Sequence, residues 1–73
     1  MHKVRNKNFL IRFGKNLKKA RMRRGMTQED LAYKADLSLS QIARIETGRL
    51  NTSISTVQRL LAALNSDANE LFQ

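Results

Sequence analysis

The 73-residue sequence lacks the residues that common stabilising and chemical sites require. It has no cysteine, which excludes a disulfide framework and a metal site built on thiolates. Its one histidine, His2, stands near the start of the chain without a neighbour that could share a metal. No nucleophile has a base beside it, and no glycine-rich loop could cradle a phosphate. We therefore expect no enzyme, no metal and no cofactor.

Long apolar runs and aromatic residues are also scarce. No run approaches the roughly 18 residues of a membrane span, and the start of the chain does not look like a signal peptide, so we expect a cytoplasmic protein without a membrane partner. Only three Phe and one Tyr could stack on single-stranded bases, and most have core spacing. A basic amphipathic first helix keeps open a membrane-surface or RNA-binding peptide, which preferential binding to duplex DNA would exclude.

Acidic residues are few, and positive charge is concentrated at one end. The chain has 14 Lys and Arg against 6 Asp and Glu, a net charge of +8. Residues 1–24 hold ten of the basic residues and no acid, whereas residues 25–73 hold four basic and six acidic residues, a net of −2. A one-sided field of this kind attracts a polyanion, although many basic helix faces are only solvated. A nucleic-acid partner is the favoured interpretation.

The spacing of apolar residues predicts an all-α chain of five helices. The first runs from about Phe9 to Arg24 with one apolar stripe, and Gly25 ends it as a left-handed cap would. No segment of useful length alternates at period two. We expect residues 9–73 to form the domain. Residues 1–8 would be a basic N-terminal arm, either a disordered tail or a contact to DNA backbone or minor groove.

Short polar residues that can cap free amides mark the later helix starts. Thr27 with Asp30, and Ser38 with Gln41, have the spacing of capping boxes. Two further starts are marked by candidate caps, which are Ser53, Ser55, Ser66 and Asp67. The fifth helix would end near Leu71 and Phe72.

The stretch from Thr27 to Gly48 predicts two short helices joined by a tight turn, the sequence form of a helix-turn-helix. Ala32 and Ala35 leave room for the crossing, and Asp36 suits a turn residue with positive φ. The second helix opens with three short side chains, at 38–40, which would let its first turn approach base edges in the DNA major groove. An ordinary three-helix bundle would not explain the small residues, the turn and the basic excess together.

Four motifs make the sequence resemble the helix-turn-helix family of lambdoid phage repressors, Cro proteins and xenobiotic-response-element-type regulators. They are L-K-x-A-R at 17–21, G-M-T-Q-E-D-L-A at 25–32, I-x-x-I-E-x-G at 42–48 and the leucine-rich helix at 60–64 with its later L-F ending. The resemblance covers about residues 13–72. Within the family the sequence is most similar to short stand-alone regulators such as restriction–modification controller proteins. The resemblance implies a compact five-helix, lambda-repressor-like DNA-binding domain.

The resemblance also implies roles for individual residues. The base-reading positions are Ser38, Leu39, Ser40, Gln41 and Arg44. The positions that contact DNA phosphates are Gln28, Thr47, Arg49, Asn51 and Thr52. Arg21 and Glu46 match a partly buried ion pair that ties the first helix to the third. Leu39 stands where long polar readers are common, which shifts weight to a thymine methyl contact or to DNA shape.

One domain of this size contacts too little DNA to be selective, so we expect a homodimer on a pseudo-palindromic operator. An isologous apolar patch on the fourth and fifth helices is the expected interface. Its candidates are Leu60, Leu61, Leu64, Leu71 and Phe72. The predicted function is transcriptional regulation of the controller or repressor type, autoregulatory by the resemblance, in which the dimer either occludes RNA polymerase or contacts it. The alternative is an antitoxin-like module that binds a protein partner as well as DNA.

Overall fold

The computed structural model describes residues 7–73, which form five helices with no strand among them. The helices are α1 Lys7–Arg23, α2 Gln28–Ala35, α3 Leu39–Glu46, α4 Ile54–Leu64 and α5 Ala68–Leu71. The predicted all-α class and helix order are confirmed. Within the described range, no helix is both long enough and apolar enough to cross a membrane.

The first helix extends further towards the N-terminus than predicted. Lys7 and Asn8 are helical, whereas the sequence predicted a start at about Phe9. The remainder of the predicted arm, residues 1–6, lies outside the described residues. At the other end α1 stops at Arg23, and Gly25 adopts a φ of 66°, in agreement with its predicted role as a left-handed cap.

Each later helix starts at a polar cap of the predicted kind. Thr27 with Asp30 and Ser38 with Gln41 form complete capping boxes. The caps of α4 and α5 are Ser53 and Asp67. These side chains satisfy backbone N–H groups that a helix start leaves unpaired, which typically contributes about 1 kcal/mol for each cap.

The turn between α2 and α3 uses Asp36 as predicted. Asp36 has a φ of 57°, a left-handed conformation that Asp tolerates better than most residues with a side chain. Its carbonyl oxygen accepts a hydrogen bond from the Arg59 guanidinium at 3.1 Å, so α4 braces the turn. Ala32 and Ala35 are both buried where α2 packs on its neighbours, as their size predicted.

α1 passes so close to the end of α3 that position 14 has no room for a side chain. A Cβ added at Gly14 would lie 2.7 Å from the carbonyl oxygen of Glu46, and nearer still to that of Ile45. In the sequence this glycine only weakens a helix. In the structure it allows the backbone of α1 to rest against the backbone of α3, which fixes the depth at which α3 sits.

The core corrects most of the predicted dimer interface. Leu60, Leu64 and Leu71 are exposed by only 0%, 2% and 0%, because they fill the space between α4, α5 and the other helices. They cannot also face a second copy. Leu61 is half-buried against the same core. Phe72 is 45% exposed and remains available to a partner.

Polar contacts hold the four-residue α5 against α1. The Glu70 carboxylate accepts hydrogen bonds from the Arg24 guanidinium at 2.8 and 2.9 Å and from the Ser66 hydroxyl at 2.6 Å. Asn16 Nδ2 donates to the carbonyl oxygen of Leu71 at 3.0 Å. The hydrogen bonds to its carboxylate, that from Arg24 first, lower the pKa of Glu70 to about 2. Tertiary contacts therefore stabilise a helix too short to persist by itself.

Candidate nucleic-acid interface

The outward face of α3 carries small and polar side chains. Leu39, Ser40 and Arg44 are exposed, and the half-buried Ala43 lies between them. Residues four apart share a helix face, so Ser40 and Arg44 lie side by side one turn apart. Within the described residues, neither the Ser40 hydroxyl nor the Arg44 guanidinium has a hydrogen-bond partner. The hydroxyl and the guanidinium are free to bind a ligand. The small side chain of Ala43 does not obstruct a ligand that approaches between them.

Two of the predicted base-reading side chains are partly committed to the start of α3. The Ser38 hydroxyl oxygen accepts the Gln41 N–H at 3.0 Å, and Gln41 Oε1 accepts the Ser38 N–H at 2.9 Å. Ser38 keeps its hydroxyl hydrogen and Gln41 keeps its amide hydrogens. Both can therefore still donate to a base or phosphate, but the Gln41 oxygen is held by the cap.

The predicted ion pair between Arg21 and Glu46 is present, and it joins three helices. Arg21 Nε and Nη2 donate to the two Glu46 carboxylate oxygens at 2.7 and 3.1 Å. Arg21 Nη1 donates to the carbonyl oxygen of Met26 at 2.7 Å. Gln28 Nε2 donates to Glu46 Oε1 at 3.0 Å. This bidentate, almost buried cluster holds α3 from behind and sets how its outer face is presented.

Gln28 therefore has a structural contact besides its predicted phosphate contact. One of its amide hydrogens is directed to Glu46, while the second remains for a ligand. The side chain lies at the start of α2, beside an open recess that also contains Lys18 and Leu39. Gln28 thus connects the buried cluster to the first turn of α3.

Recesses lie at both ends of α3, and they differ in charge. The recess at its start is about 540 Å³ and is lined by Lys18, Arg21, Thr27, Gln28, Glu29 and Leu39; it includes an acid, and its arginine is already paired with Glu46. The recess at its end is about 840 Å³ and is lined by Lys7, Leu10, Arg44, Gly48, Arg49, Leu50 and Asn51, without an acid. A helix that enters a groove meets a phosphate backbone on either side, and the basic recess at the end of α3 suits one of the two.

The residues predicted to contact phosphates divide into two groups. Arg49 and Asn51 are exposed and line the recess at the end of α3. The hydroxyl of Thr47 instead donates to the carbonyl oxygens of Ala43 and Arg44, at 3.1 and 3.2 Å. The hydroxyl of Thr52 donates to the carbonyl oxygen of Leu50 at 3.4 Å. These two hydroxyl hydrogens are occupied, so a phosphate contact from either side chain would require it to give up its own backbone bond.

The site residues predicted from the sequence omitted Lys18 and included Lys7 only as part of the basic N-terminal arm. Lys7 and Lys18 line the recesses at opposite ends of α3, although neither belongs to the helix-turn-helix. They are 11 residues apart, close to three full turns, so they share one stripe of α1 with Gly14. The spacing was visible in the sequence, but the side of α1 that packs on α3 was not.

The two short helices α2 and α3 and the turn between them lie within a family match. Residues 17–71 match the helix-turn-helix family. The chain belongs to this family.

Individual relatives extend the similarity over most of the chain. The control protein C.MunI of Mycoplasma sp is 36% identical over 63 residues, which cover 85% of each protein. The restriction–modification controller protein C.AhdI of Aeromonas hydrophila has 35% identity and a TM-score of 0.84, covering 86% of this chain and 96% of that one. A nucleoprotein complex of C.Esp1396I has 34% identity and a TM-score of 0.79, covering 88% and 83%. These relatives of the helix-turn-helix chain are regulators by name, not enzymes.

Proposed function

We propose that this helix-turn-helix protein is a transcriptional regulator that binds double-stranded DNA sequence-specifically, with α3 in the major groove. The observation that carries the proposal is the outer face of α3, where the Ser40 hydroxyl and the Arg44 guanidinium have no partner among the described residues. The Arg21–Glu46 pair holds the same helix from behind. A rigid helix with unengaged polar groups on its open side suits base recognition. The nucleoprotein complex of a relative supports this proposal.

The described contacts suggest how the predicted residues divide the work. Leu39, 45% exposed, would press on a thymine methyl, while Ser40 and Arg44 would hydrogen-bond base edges. Ser38 and Gln41 contribute the hydrogens that their capping box leaves free. Phosphate contacts would come mainly from Gln28, Arg49 and Asn51, with Thr47 and Thr52 secondary because their hydroxyls are engaged.

An apolar groove beside the loop that follows α3 supports a homodimer. Ile54 is 80% exposed at the start of α4, and the rings of Phe13 and Phe72 lie 5.2 Å apart at the groove. The groove, of about 180 Å³, also includes the loop residues Asn51 and Thr52. A second copy seated there would bring the two α3 helices together on one side of the dimer, as reading two half-sites requires.

The substitution Ile54→Glu tests the dimer. Sedimentation should show a dimer dissociation constant at least about tenfold higher than wild type, because burying an isoleucine is worth roughly 1.5–3 kcal/mol. Glutamate in the first turn of α4 suits the helix start, so the fold should survive. Met22→Glu, at a 60% exposed site on α1, is the matched control. A monomer at tens of micromolar, with and without DNA, would overturn the homodimer.

The proposal includes autoregulation of the controller type. A dimer bound near its own promoter would either occlude RNA polymerase or contact it, and only a transcription assay with added protein distinguishes the two. A regulator must share a compartment with the DNA that it binds, so the cytoplasm remains the expected compartment.

The experiment that tests the function is a titration of a labelled duplex taken from just upstream of the protein's own gene. Fluorescence anisotropy at several salt concentrations would compare it with a scrambled duplex. We expect the native duplex to bind about a thousandfold or more tightly, with two chains on each duplex. Equal binding of both duplexes, weakened together by salt, would leave only the phosphate attraction and contradict the proposal.

The apolar groove also favours one second candidate, an antitoxin-like module in which a protein partner covers Ile54 and Phe72. A toxin gene beside this gene, and a one-to-one complex that Ile54→Glu abolishes, would support it. Thousandfold DNA selectivity by the isolated chain would favour the regulator.

A further inference from the structure

The recess at the end of α3 brings together cations from three different elements. Lys7 is the first residue of α1, Arg44 lies on the outer face of α3, and Arg49 follows α3 in the loop to α4. Asn51 adds an amide to the same rim. No carboxylate lines the recess. Three positive side chains thus converge where the protein provides no counter-charge.

All six acidic residues of the chain lie within the described range, and each is placed elsewhere. Glu46 is buried against Arg21, and Glu70 is bound by Arg24. The other four are Glu29, Asp30, Asp36 and Asp67, at helix ends away from this recess. The three cations therefore make this recess attractive to an anion from outside the chain.

The recess is continuous with the face proposed to read bases, because Arg44 belongs to both. When α3 lies in a major groove, the surface just beyond its end faces the sugar–phosphate backbone that borders the groove. An unesterified phosphate oxygen pair there suits a planar guanidinium and a point-charge ammonium together.

From this geometry we propose that Lys7 and Arg49 bind a phosphate of the DNA backbone beside the end of α3, so that the first turn of α1 is part of the DNA-binding surface. The inference rests on the proposed DNA-binding function and adds a contact outside the helix-turn-helix. The contact carries no sequence information; it fixes how far α3 is inserted along the groove.

The first test compares Lys7→Gln with Lys19→Gln by anisotropy titration on native and scrambled duplexes. Both variants lose one exposed lysine of α1, but Lys19 lies outside the recess. We expect Lys7→Gln to weaken binding to both duplexes by roughly three- to tenfold per chain at low salt. The slope of log affinity against log salt concentration should become shallower by about 0.9 per chain. Lys19→Gln should leave the slope unchanged, and Lys7→Arg should restore most of the binding.

The second test locates the phosphate. Single methylphosphonates, which remove one backbone charge, are scanned along the native duplex. At one position per half-site the substitution should weaken DNA binding by wild type, weaken it less in Lys7→Gln and in Arg49→Gln, and have no further effect on the double variant. Such coupling is what a direct contact produces and a general loss of charge does not.

The outcomes separate this inference from the function on which it rests. If wild type selects its native duplex and Lys7→Gln behaves like Lys19→Gln, the Lys7 contact is refuted and the regulator stands. If every methylphosphonate weakens DNA binding by wild type and by Lys7→Gln to the same extent, the contact is likewise refuted. If wild type does not select its duplex at all, the proposed function itself fails.

Discussion

Arg21, in the last turn of α1, and Arg24, just beyond its end, each bind a glutamate through two nitrogens, but in different surroundings. The Arg21–Glu46 pair is almost buried, with 9% and 2% of the two side chains exposed. The Arg24–Glu70 pair lies at the surface, with 29% and 18% exposed. The first joins α1 to α2 and α3, and the second holds α5. Similar bonds therefore hold α3 in one place and α5 in the other. Burial decides how much free energy of unfolding is lost when one partner is removed.

The largest effect should come from breaking the buried pair. Glu46→Ala leaves the Arg21 guanidinium buried without its carboxylate, which typically costs about 3–5 kcal/mol. Urea unfolding followed by circular dichroism measures the loss, and DNA binding should fall with it because α3 loses its support. Glu29→Ala, at an exposed site on α2, is the control and should stay within about 0.5 kcal/mol of wild type. Equal stability of the two variants would contradict the role given to the cluster.

The backbone contact beside that pair should give the next largest effect. Gly14→Ala would normally favour a helix by up to about 1 kcal/mol. Here the methyl would collide with the carbonyl oxygens of Ile45 and Glu46, so we expect a net loss of about 1–3 kcal/mol in the same unfolding experiment. Lys15→Ala, at the next position and exposed, supplies the reference. A stabilised Gly14→Ala protein would show that α1 and α3 are not in close contact.

The surface pair should be weaker and dependent on pH. The pKa of Glu70 is lowered from 4.5 to about 2, chiefly by Arg24, so the unfolded chain binds more protons between these values. The contribution of the ionised Glu70 to the free energy of unfolding is complete above pH 4.5 and is lost as the pH falls towards 2. Glu70→Gln should therefore lower the Tm at pH 6, by less than Glu46→Ala, and the gap to wild type should narrow at pH 2.5. A gap that does not change with pH would argue against the pairing.

The outermost member of the surface pair should matter least. Arg23 Nη1 lies 3.2 Å from Glu70, and its side chain is 61% exposed. Water and salt screen such a contact, so Arg23→Ala should change the free energy of unfolding by no more than about 0.5 kcal/mol. A loss equal to that of Glu70→Gln would mean that Arg23, and not Arg24, holds α5.

What the sequence could predict was local. Caps such as Thr27 and Ser38 act on backbone groups two or three residues away, so their roles follow from spacing alone. The positive φ of Asp36 was expected for the same reason. The Arg21–Glu46 pair joins residues far apart in the chain, and the family resemblance, not any local pattern, pointed to it.

The failures of prediction concern packing between helices. Leu60, Leu64 and Leu71 resembled a dimer interface because spacing alone does not say whether an apolar stripe faces its own core or a partner. The importance of Gly14, and the placement of Lys7 and Lys18 at the two ends of α3, depend on the orientation of α1 across α3. That orientation is set by contacts that become visible only when the helices are assembled.

The central claim is that the first turn and outer face of α3 read DNA bases. The most direct measurement is the ratio of affinities for the native and scrambled duplexes, for wild type and for the double variant Leu39→Ala, Ser40→Ala. Both side chains are exposed, so the fold should be retained. We expect the ratio to fall by tenfold or more while affinity for the scrambled duplex stays near wild type, because base contacts contribute about 1–3 kcal/mol each. An unchanged ratio, or equal losses on both duplexes, would contradict the claim.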